Sequence, residues 1–190
     1  MSIVMLDDGA GNLVNKTVRF TGVNLQVVNG LGATNGNTNN PMTIHPANTT
    51  VNGVGNLTVG YNELGNTLGD ARIGSHNVVL GQTNSHSTFG GLLAGRNNTL
   101  SGVFASVSGG EKNNAKARLG SISGGKSNTV KGSFTSISGG IFNTASGTVS
   151  SVSGGRGNTA SGNQSSVSGG HNRTAVNLDD WVAGTLLEDF

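Results

Sequence analysis

Cysteine is absent from this chain, and proline, aromatic residues and charged residues are all scarce. Without cysteine there is no disulfide framework of the kind that stabilises many small secreted domains. Aromatic residues make up 4% of the chain, which is low for a globular core, and 11% charged residues is low for a disordered chain. Glycine is abundant, at 33 of 190 residues, but with 2 prolines and no continuous Gly-X-Y repeat collagen is excluded.

Charge and hydropathy exclude further classes of partner. The formal net charge is +2 and no basic run occurs, so we expect no nucleic acid partner. No apolar stretch has the length of a transmembrane helix, so we expect no direct membrane insertion. Residues 1–12 lack the basic and apolar regions of a signal peptide. This favours a chain used without such export, as phage proteins are, or one whose leader has been removed.

What the chain does contain is a regular sequence repeat. The pattern Ser-Val/Ile-Ser-Gly-Gly occurs five times at a spacing of fifteen residues, at 106–110, 121–125, 136–140, 151–155 and 166–170. Repetition at a short fixed period is typical of a solenoid, whose units stack because none can bury its apolar face alone. The sequence therefore predicts an all-β fold, a parallel β-roll or β-solenoid of about eight coils of 14–15 residues.

The segments outside the ladder have their own patterns. Alternating apolar and polar residues in 17–28 predict two short strands or one bulged strand, with Val23 and Leu25 facing inward. The polar loop over 29–53 is long for a structureless connection, so we expect it to pack against something. Trp181 and Phe190 suit a cap over the last coil. The predicted segments are an N-terminal β segment with its polar loop (1–55), the β-roll (56–176) and a C-terminal cap (177–190).

Three columns of the repeat are predicted to be interior, because they hold apolar or small residues in nearly every coil. The first, taken as the buried line of one strand, is Leu92, Val107, Ile122, Ile137, Val152 and Val167. The second, taken as the core line of the other strand, is Phe104, Leu119, Phe134, Val149 and Gln164. The third, whose small side chains indicate two closely spaced sheets, is Leu100, Ala115, Val130, Ala145, Ala160 and Ala175.

Two further columns, one of asparagine and one of glycine, are predicted to form the turns between strands and a structural ladder along the roll. Stacked asparagine side chains can hydrogen-bond along a roll, and asparagine tolerates left-handed backbone angles. This column is Asn98, Asn113, Asn128, Asn143 and Asn158. Glycine permits a tight corner or the close approach of a neighbouring backbone. The anchor glycines are Gly60, Gly81, Gly95, Gly110, Gly125, Gly140, Gly155 and Gly170.

No motif favours an enzyme. The stretch GSISGGKS (120–127) matches the phosphate-binding pattern G-x-x-x-x-G-K-[ST], but another coil follows it rather than the helix that such a loop needs. His45, His76, His86 and His171 share no metal-ligand spacing, so exposed turn positions are expected for them. We therefore expect no catalytic residues, no metal and no cofactor.

Charged and hydroxyl side chains leave two ligand hypotheses open. The charged residues of the middle coils fall in variable columns and are expected to form a solvated face; they are Glu111, Lys112, Lys116, Arg118, Lys126 and Lys131. Lys116 and Lys131 share one column, which makes them candidate contacts for an anionic ligand. A flat Thr, Ser and Asn face also suggests ice binding, although each coil offers a single threonine rather than a Thr-x-Thr pair.

These columns resemble a known family. The repeat motif SVSGGxxNTASG, with the core x-V-x-G-x-N, is similar to the head repeats of YadA-type trimeric autotransporter adhesins over roughly residues 56–176. The segment 23–64 and the DDWVAG end also resemble uncharacterised bacterial secreted proteins that carry such rolls. The resemblance implies a left-handed parallel β-roll that assembles as a homotrimer on a bacterial surface. The step from Gly81 to Gly95 matches the family's period, and the later coils are one residue longer.

We expect a non-enzymatic extracellular structural or adhesive module that presents a rigid, repetitive surface to cells, matrix or glycans. Possible partners are a glycan or a surface receptor. Small interior side chains bury little apolar area per residue, so packing three rolls through their Ser-x-Ser-Gly-Gly strands would stabilise them. The alternative is a phage or contractile-injection-system tail fibre component, located in a virion or tail. An ice-binding solenoid is the third possibility.

Overall fold

A computed structural model of the chain describes residues 2–7, 13–61 and 63–184. The described chain is almost entirely β, with parallel strands stacked as a β-solenoid whose turns lie about 15 residues apart. This confirms the predicted fold class. The described residues include one short 3-10 helix, Pro46–Asn48, and no helix that is long and apolar enough to cross a membrane.

The first two strands form an antiparallel hairpin, β1 (Ser2–Asp7) and β2 (Leu13–Arg19). The strands that follow build two parallel sheets. In chain order they are β3 (Leu57–Val59), β4 (Val78–Gln82), β5 (Ser85–His86), β6 (Leu92–Arg96), β7 (Thr99–Leu100), β8 (Ser106–Val107), β9 (Asn114–Ala115), β10 (Ser121–Ile122), β11 (Thr129–Val130), β12 (Ser136–Ile137), β13 (Thr144–Ala145), β14 (Ser151–Val152), β15 (Thr159–Ala160), β16 (Ser166–Val167), β17 (Thr174–Ala175) and β18 (Trp181–Val182). Sheet 1 holds β3 and the even-numbered strands from β4 to β18, and sheet 2 holds the odd-numbered strands from β5 to β17.

Each complete turn contributes one strand to each sheet. Sheet 2 has seven strands, so the described solenoid has about seven complete turns. Strands β3 and β18 extend sheet 1 alone, one at each end. The prediction counted β3 as a coil through Gly60 and placed β18 in the cap, which gave eight coils. Equivalent residues stack in register, as Ile122 does between Val107 and Ile137.

Two stacked columns of apolar side chains fill the interior, one from each sheet, and every member is at most 1% exposed. The column of sheet 1 is Val79, Leu93, Val107, Ile122, Ile137, Val152 and Val167. The column of sheet 2 is Leu100, Ala115, Val130, Ala145, Ala160 and Ala175, as predicted. Because sheet 2 contributes mainly alanine, the larger residues of sheet 1 fit against it without a thick core.

One member of the first predicted column was wrong by one residue. Leu93 pairs with Val107 and is buried, whereas Leu92 is 36% exposed. Leu93 and Val107 are fourteen residues apart, but Gly95 and Gly110 are fifteen apart. The extra residue of the longer coils therefore lies between Val107 and Gly110, so an alignment on the glycines alone shifts the strand by one position.

The second predicted core column was wrong throughout, because it forms an exposed corner. Its residues all have left-handed backbone angles, namely Phe104 (φ 54°), Leu119 (φ 56°), Phe134 (φ 60°), Val149 (φ 60°) and Gln164 (φ 59°). This conformation turns the N–H towards the preceding coil, as where Phe134 N donates to Arg118 O at 3.1 Å. Phe104, Leu119, Phe134 and Val149, named the apolar corner below, are 42–52% exposed.

The asparagine column forms a continuous buried hydrogen-bond ladder. In each coil the side-chain oxygen accepts from the next asparagine N–H, as Asn113 Oδ1 does from Asn128 N at 3.0 Å. The side-chain nitrogen donates to two carbonyls, for Asn113 those of Gly109 at 3.1 Å and Gly125 at 3.0 Å. The ladder is Asn84, Asn98, Asn113, Asn128, Asn143 and Asn158.

Two details of this ladder differ from the prediction. It begins one coil earlier, at Asn84, whose amide makes the same contacts. The left-handed residue is not the asparagine but the residue before it, such as Lys112 before Asn113. At the far end Arg173 takes the asparagine position, and its N–H still donates to Asn158 Oδ1 at 2.8 Å.

Strands form near the N-terminus, but they begin earlier in the chain than the predicted range of 17–28. The hairpin lies at residues 2–19, and no strand forms over 20–28, where Val23 and Leu25 are 66% and 62% exposed. The polar loop does pack, because Asn35 is buried and its amide donates to the carbonyls of Asn40 and Thr43. The loop also reaches the first turn, where Asn52 N donates to Ser75 Oγ at 3.1 Å.

The C-terminal segment extends the solenoid further than residue 176. Trp181 and Val182 form β18 and pair with β16, so part of the predicted cap is a ninth strand of sheet 1. Trp181 is 68% exposed, and its indole N–H donates to Ser168 Oγ at 2.8 Å. Phe190, the other predicted cap residue, lies outside the described residues.

The two glycines of each repeat have different roles. The second one, such as Gly140 (φ 86°), has a backbone angle that side chains rarely adopt, and an added Cβ would overlap the Gly155 carbonyl oxygen of the next coil. The first one, such as Gly139, has nothing within 4 Å of an added Cβ. The close stacking of the coils therefore depends on the second glycine.

We predict that Gly140→Ala lowers the free energy of unfolding by about 2–5 kcal/mol, because it combines backbone strain with overpacking. Gly139→Ala is the matched control, and we expect a change within about 0.5 kcal/mol. Thermal and denaturant unfolding followed by circular dichroism measures both. Equal effects of the two substitutions would contradict the assigned role of the second glycine.

Candidate functional site

The outer face of sheet 1 carries a regular array of serine hydroxyls. In each of five consecutive strands one serine lies on either side of the buried apolar residue and on the outer side of the sheet. Neighbouring rows hydrogen-bond, as Ser106 Oγ does to Ser121 Oγ at 3.3 Å and Ser151 Oγ to Ser166 Oγ at 3.1 Å. This serine face is Ser106, Ser108, Ser121, Ser123, Ser136, Ser138, Ser151, Ser153, Ser166 and Ser168.

Apolar side chains occupy the same two columns in the first three strands of sheet 1. Leu57 and Val59 are 48% and 59% exposed, and Val78 and Leu92 are each 36% exposed. We call these four residues the apolar end. Exposed apolar clusters of this kind are typical of interfaces. The sequence does indicate this cluster, because Leu and Val stand in these strands where later strands have Ser. The one-residue misalignment placed Leu92 in the interior column, so the exposed apolar column was not predicted.

A charged ladder runs along the opposite corner, where isolated β-bridges connect the coils. Glu111 Oε1 lies 2.9 Å from Arg96 Nη2, and Glu111 Oε2 lies 3.6 Å from Lys126 Nζ. Desolvation acts to raise the pKa of Glu111, but the hydrogen bond from Arg96, with the charges of Arg96, Lys126 and Lys112, lowers it overall. Three cations therefore share one carboxylate, which offsets part of the positive charge of this corner.

The stretch that matches a phosphate-binding loop is an ordinary coil. Residues 120–127 contain β10, and β11 follows in place of a helix. The loop's Lys126 is paired with Glu111, and Gly125 packs against the next coil like the other anchor glycines. The match therefore reflects the repeat, and the helix N-terminus that would hold a phosphate is not formed.

The histidines are not all exposed, so that expectation was wrong for two of them. His45 and His171 are exposed, but His86 in β5 is 2% exposed. His76 is half-buried, and its Nε2 accepts from Asn29 N at 3.2 Å. Desolvation and then the charge of Arg72 lower the pKa of His86, against a smaller opposing contribution from a Gly74 backbone hydrogen bond.

A concave site lies where the polar loop meets the first turn. It has a volume of about 460 Å³ and is lined by Val28, Asn29, Gly30, Thr34 and His76. His76 bridges the two walls through Asn29 N and the Thr34 carbonyl, at 3.2 Å and 3.1 Å. These contacts hold the loop on the solenoid, while the Asn29 side chain supports the loop itself by accepting from Leu31 N at 2.9 Å.

The insertion in the first coil is closed by a carboxylate. Asp70 accepts from the N–H groups of Asn66 at 3.0 Å and Gly65 at 2.8 Å, and it pairs with Arg72 at 3.2 Å. The backbone donors, first Asn66 and then Gly65, lower the pKa of Asp70. Within residues 2–7, 13–61 and 63–184, no three His, Asp or Glu side chains group as a metal site would require.

Comparison with known proteins gives no identification. No family model matches the chain, and no curated protein and no solved structure resembles it at a significant level.

We predict that lowering the pH from about 7 to about 5 destabilises the fold through His86. Its folded-state pKa is lowered from the ordinary value of about 6.5, so the unfolded chain takes up a proton first and the free energy of unfolding falls. His86→Leu, which copies Leu100 in the next row, should remove this dependence. Denaturant unfolding over this pH range, with exposed His171→Asn as control, measures it; an unchanged pH profile in His86→Leu would contradict the assignment.

Proposed function

We propose that the chain is a non-enzymatic structural and adhesive module of the cell exterior that presents a rigid, repetitive surface to glycans, matrix or other cells. The observation that supports this proposal is the repetition of outward side chains in register, which holds along sheet 2 and the corners as well as along the serine face. A ligand with its own repeat engages such an array at several rows together, so that weak contacts at each row add to a strong total.

Rigidity is the second support for this proposal. The buried asparagine ladder fixes the corner of each coil to the next, and the anchor glycines keep the coils in close contact. An array that is held in one geometry loses little conformational entropy when a ligand binds. The fold therefore suits a presenting surface better than a site that must close around a substrate.

Assembly as a homotrimer belongs to the same proposal. The apolar end exposes four aliphatic side chains on the outer face of sheet 1, and small serines continue this face along the solenoid. Aliphatic contacts would supply the hydrophobic free energy of association, while serines allow neighbouring backbones to approach closely. Packing three copies through this face leaves the corners and sheet 2 for ligands.

The assembly predicts a solution mass of three times 19.0 kDa, about 57 kDa, by light scattering on a size-exclusion column. The double substitution Leu57→Lys with Val59→Lys should lower this mass to that of one chain, because it places charge on the associating face. Ile141→Lys with Phe142→Lys is the matched control, since these two residues are 42% and 55% exposed on another face. A mass of 19 kDa for the unmodified chain would contradict the trimer.

The adhesive function predicts that binding strength follows the number of coils. Deleting residues 141–155 removes one coil in register, joining Gly140 to Arg156, which replaces Ile141 in its column. In a solenoid the remaining coils keep their contacts. We expect binding to immobilised polysaccharides, matrix proteins or whole cells to weaken about threefold or more in the deletion, and to strengthen when the coil is duplicated. Absence of binding to every surface would contradict adhesion, and binding independent of coil number would contradict the repetitive mode.

A further inference from the structure

Two lysines lie in consecutive rows at the outer end of sheet 2. Lys116 N donates to Val130 O at 3.1 Å, and Lys131 N donates to Ala145 O at 2.8 Å, so the two residues occupy equivalent places in adjacent coils. Stacked strands are about 4.8 Å apart, and like charges at this separation repel. The same position holds Ser101, Ser146 and Ser161 in other coils, so the fold does not require lysine.

A third cation lies beside this pair and is fixed in place. Arg118 follows Lys116 by two residues, and its guanidinium carbon lies 4.7 Å from the centre of the Phe134 ring. Cation–π contact of this kind orients the guanidinium group while leaving its N–H donors available.

These three cations differ from those on the opposite corner. Arg96, Lys112 and Lys126 all lie within 4.0 Å of Glu111. None of the ion pairs formed within the described part of the chain involves Lys116, Arg118 or Lys131. The carboxylate of Glu111 thus offsets part of the positive charge at one corner, whereas no acidic side chain among the described residues pairs with the three cations at the other.

The apolar corner borders these cations and has a conformation that its residues disfavour. Left-handed backbone angles are costly for bulky and β-branched residues, and glycine or asparagine would adopt them readily. The second left-handed corner holds a different residue in nearly every coil, and among the described residues Phe142 is its one bulky apolar member. Its residues are Thr83, Asn97, Lys112, Ser127, Phe142, Gly157 and Asn172. Bulky apolar residues in four consecutive coils therefore add something other than the turn, and half-exposed rings and aliphatic chains offer a contact surface.

We propose that Lys116, Arg118 and Lys131, together with the apolar corner, bind an acidic polysaccharide whose chain runs parallel to the solenoid axis. The proposal rests on the proposed adhesive function and names its ligand class. Carboxylates on successive sugars would pair with the cations, while the C–H faces of the rings would pack on Phe104 and Phe134. A polymer fits better than a membrane because the apolar corner is one residue wide and only half-exposed, whereas interfacial binding needs a broad buried apolar face.

The test uses the full chain with polygalacturonate as probe, and biolayer interferometry as the measurement. Lys116→Ser with Lys131→Ser, which copies the neighbouring coils, should weaken binding about tenfold or more. Phe134→Asn should also weaken it, and since asparagine tolerates the left-handed angle the fold should be retained, as unfolding curves will show. Binding of the unmodified chain should fall with added salt, because Lys116 and Lys131 are exposed.

The control removes the same net charge elsewhere. Lys126→Ile with Arg156→Ile gives the coils on either side of Ile141 the residue that already stands at the equivalent position between them. We expect unchanged binding. Equal weakening by both double substitutions would overturn the proposal, since it would show attraction to net charge alone. Failure of the unmodified chain to bind polygalacturonate, or binding only to vesicles of anionic lipid, would overturn it as well.

The outcome is separable from that of the proposed function. Deleting residues 141–155 leaves all three cations and the aromatic rings of the apolar corner in place. If binding to other surfaces follows the coil number while the Lys116 and Lys131 substitutions change nothing, the ligand assignment fails and the adhesive function stands.

Discussion

Each buried asparagine of the ladder satisfies three backbone groups with one side chain. Its oxygen accepts the N–H of the next coil, and its nitrogen donates to two carbonyls, one in its own coil and one in the next. Among the described residues the corner offers no backbone partner for the asparagine N–H or for the carbonyl of the first glycine, and leaving these two groups unpaired in a dry interior would be costly. The carbonyl in the next coil also accepts a backbone N–H, as Gly125 O does from Glu111 N at 2.9 Å. The repeat period, the glycine positions and the orientation of both sheets all follow from keeping this contact at every level.

The surfaces follow from the interior. Once identical coils are stacked in register, every outward position becomes a column, so one residue type repeated along the sequence becomes a continuous strip. The serine face is uniform because its strands are uniform, and the apolar end arises where Leu and Val take the same positions. Breaks in a column therefore carry more functional information than the repeats, as Lys116 and Lys131 illustrate among serines.

The two left-handed corners show how strain and exposure combine. One corner holds mostly asparagine, glycine and polar residues, with Phe142 as an exception, and the other repeats bulky apolar residues at Phe104, Leu119, Phe134 and Val149. Both turn their N–H groups to the preceding coil, so the backbone requirement is the same. The difference lies in what the side chain offers to its surroundings, which is why we propose a binding role for the apolar corner.

The sequence by itself determined the solenoid, its period, the buried asparagine column and the anchor glycines, because stacking in register makes each of these a requirement of every coil. It did not determine which apolar column faces inward. Phe104 and Leu93 are both bulky and apolar, so residue type does not distinguish them. The left-handed angle that turns Phe104 outward is a property of the corner rather than of the residue. The burial of His86 and the ninth strand at Trp181 were likewise decided by tertiary structure, since both depend on which coil lies next to them.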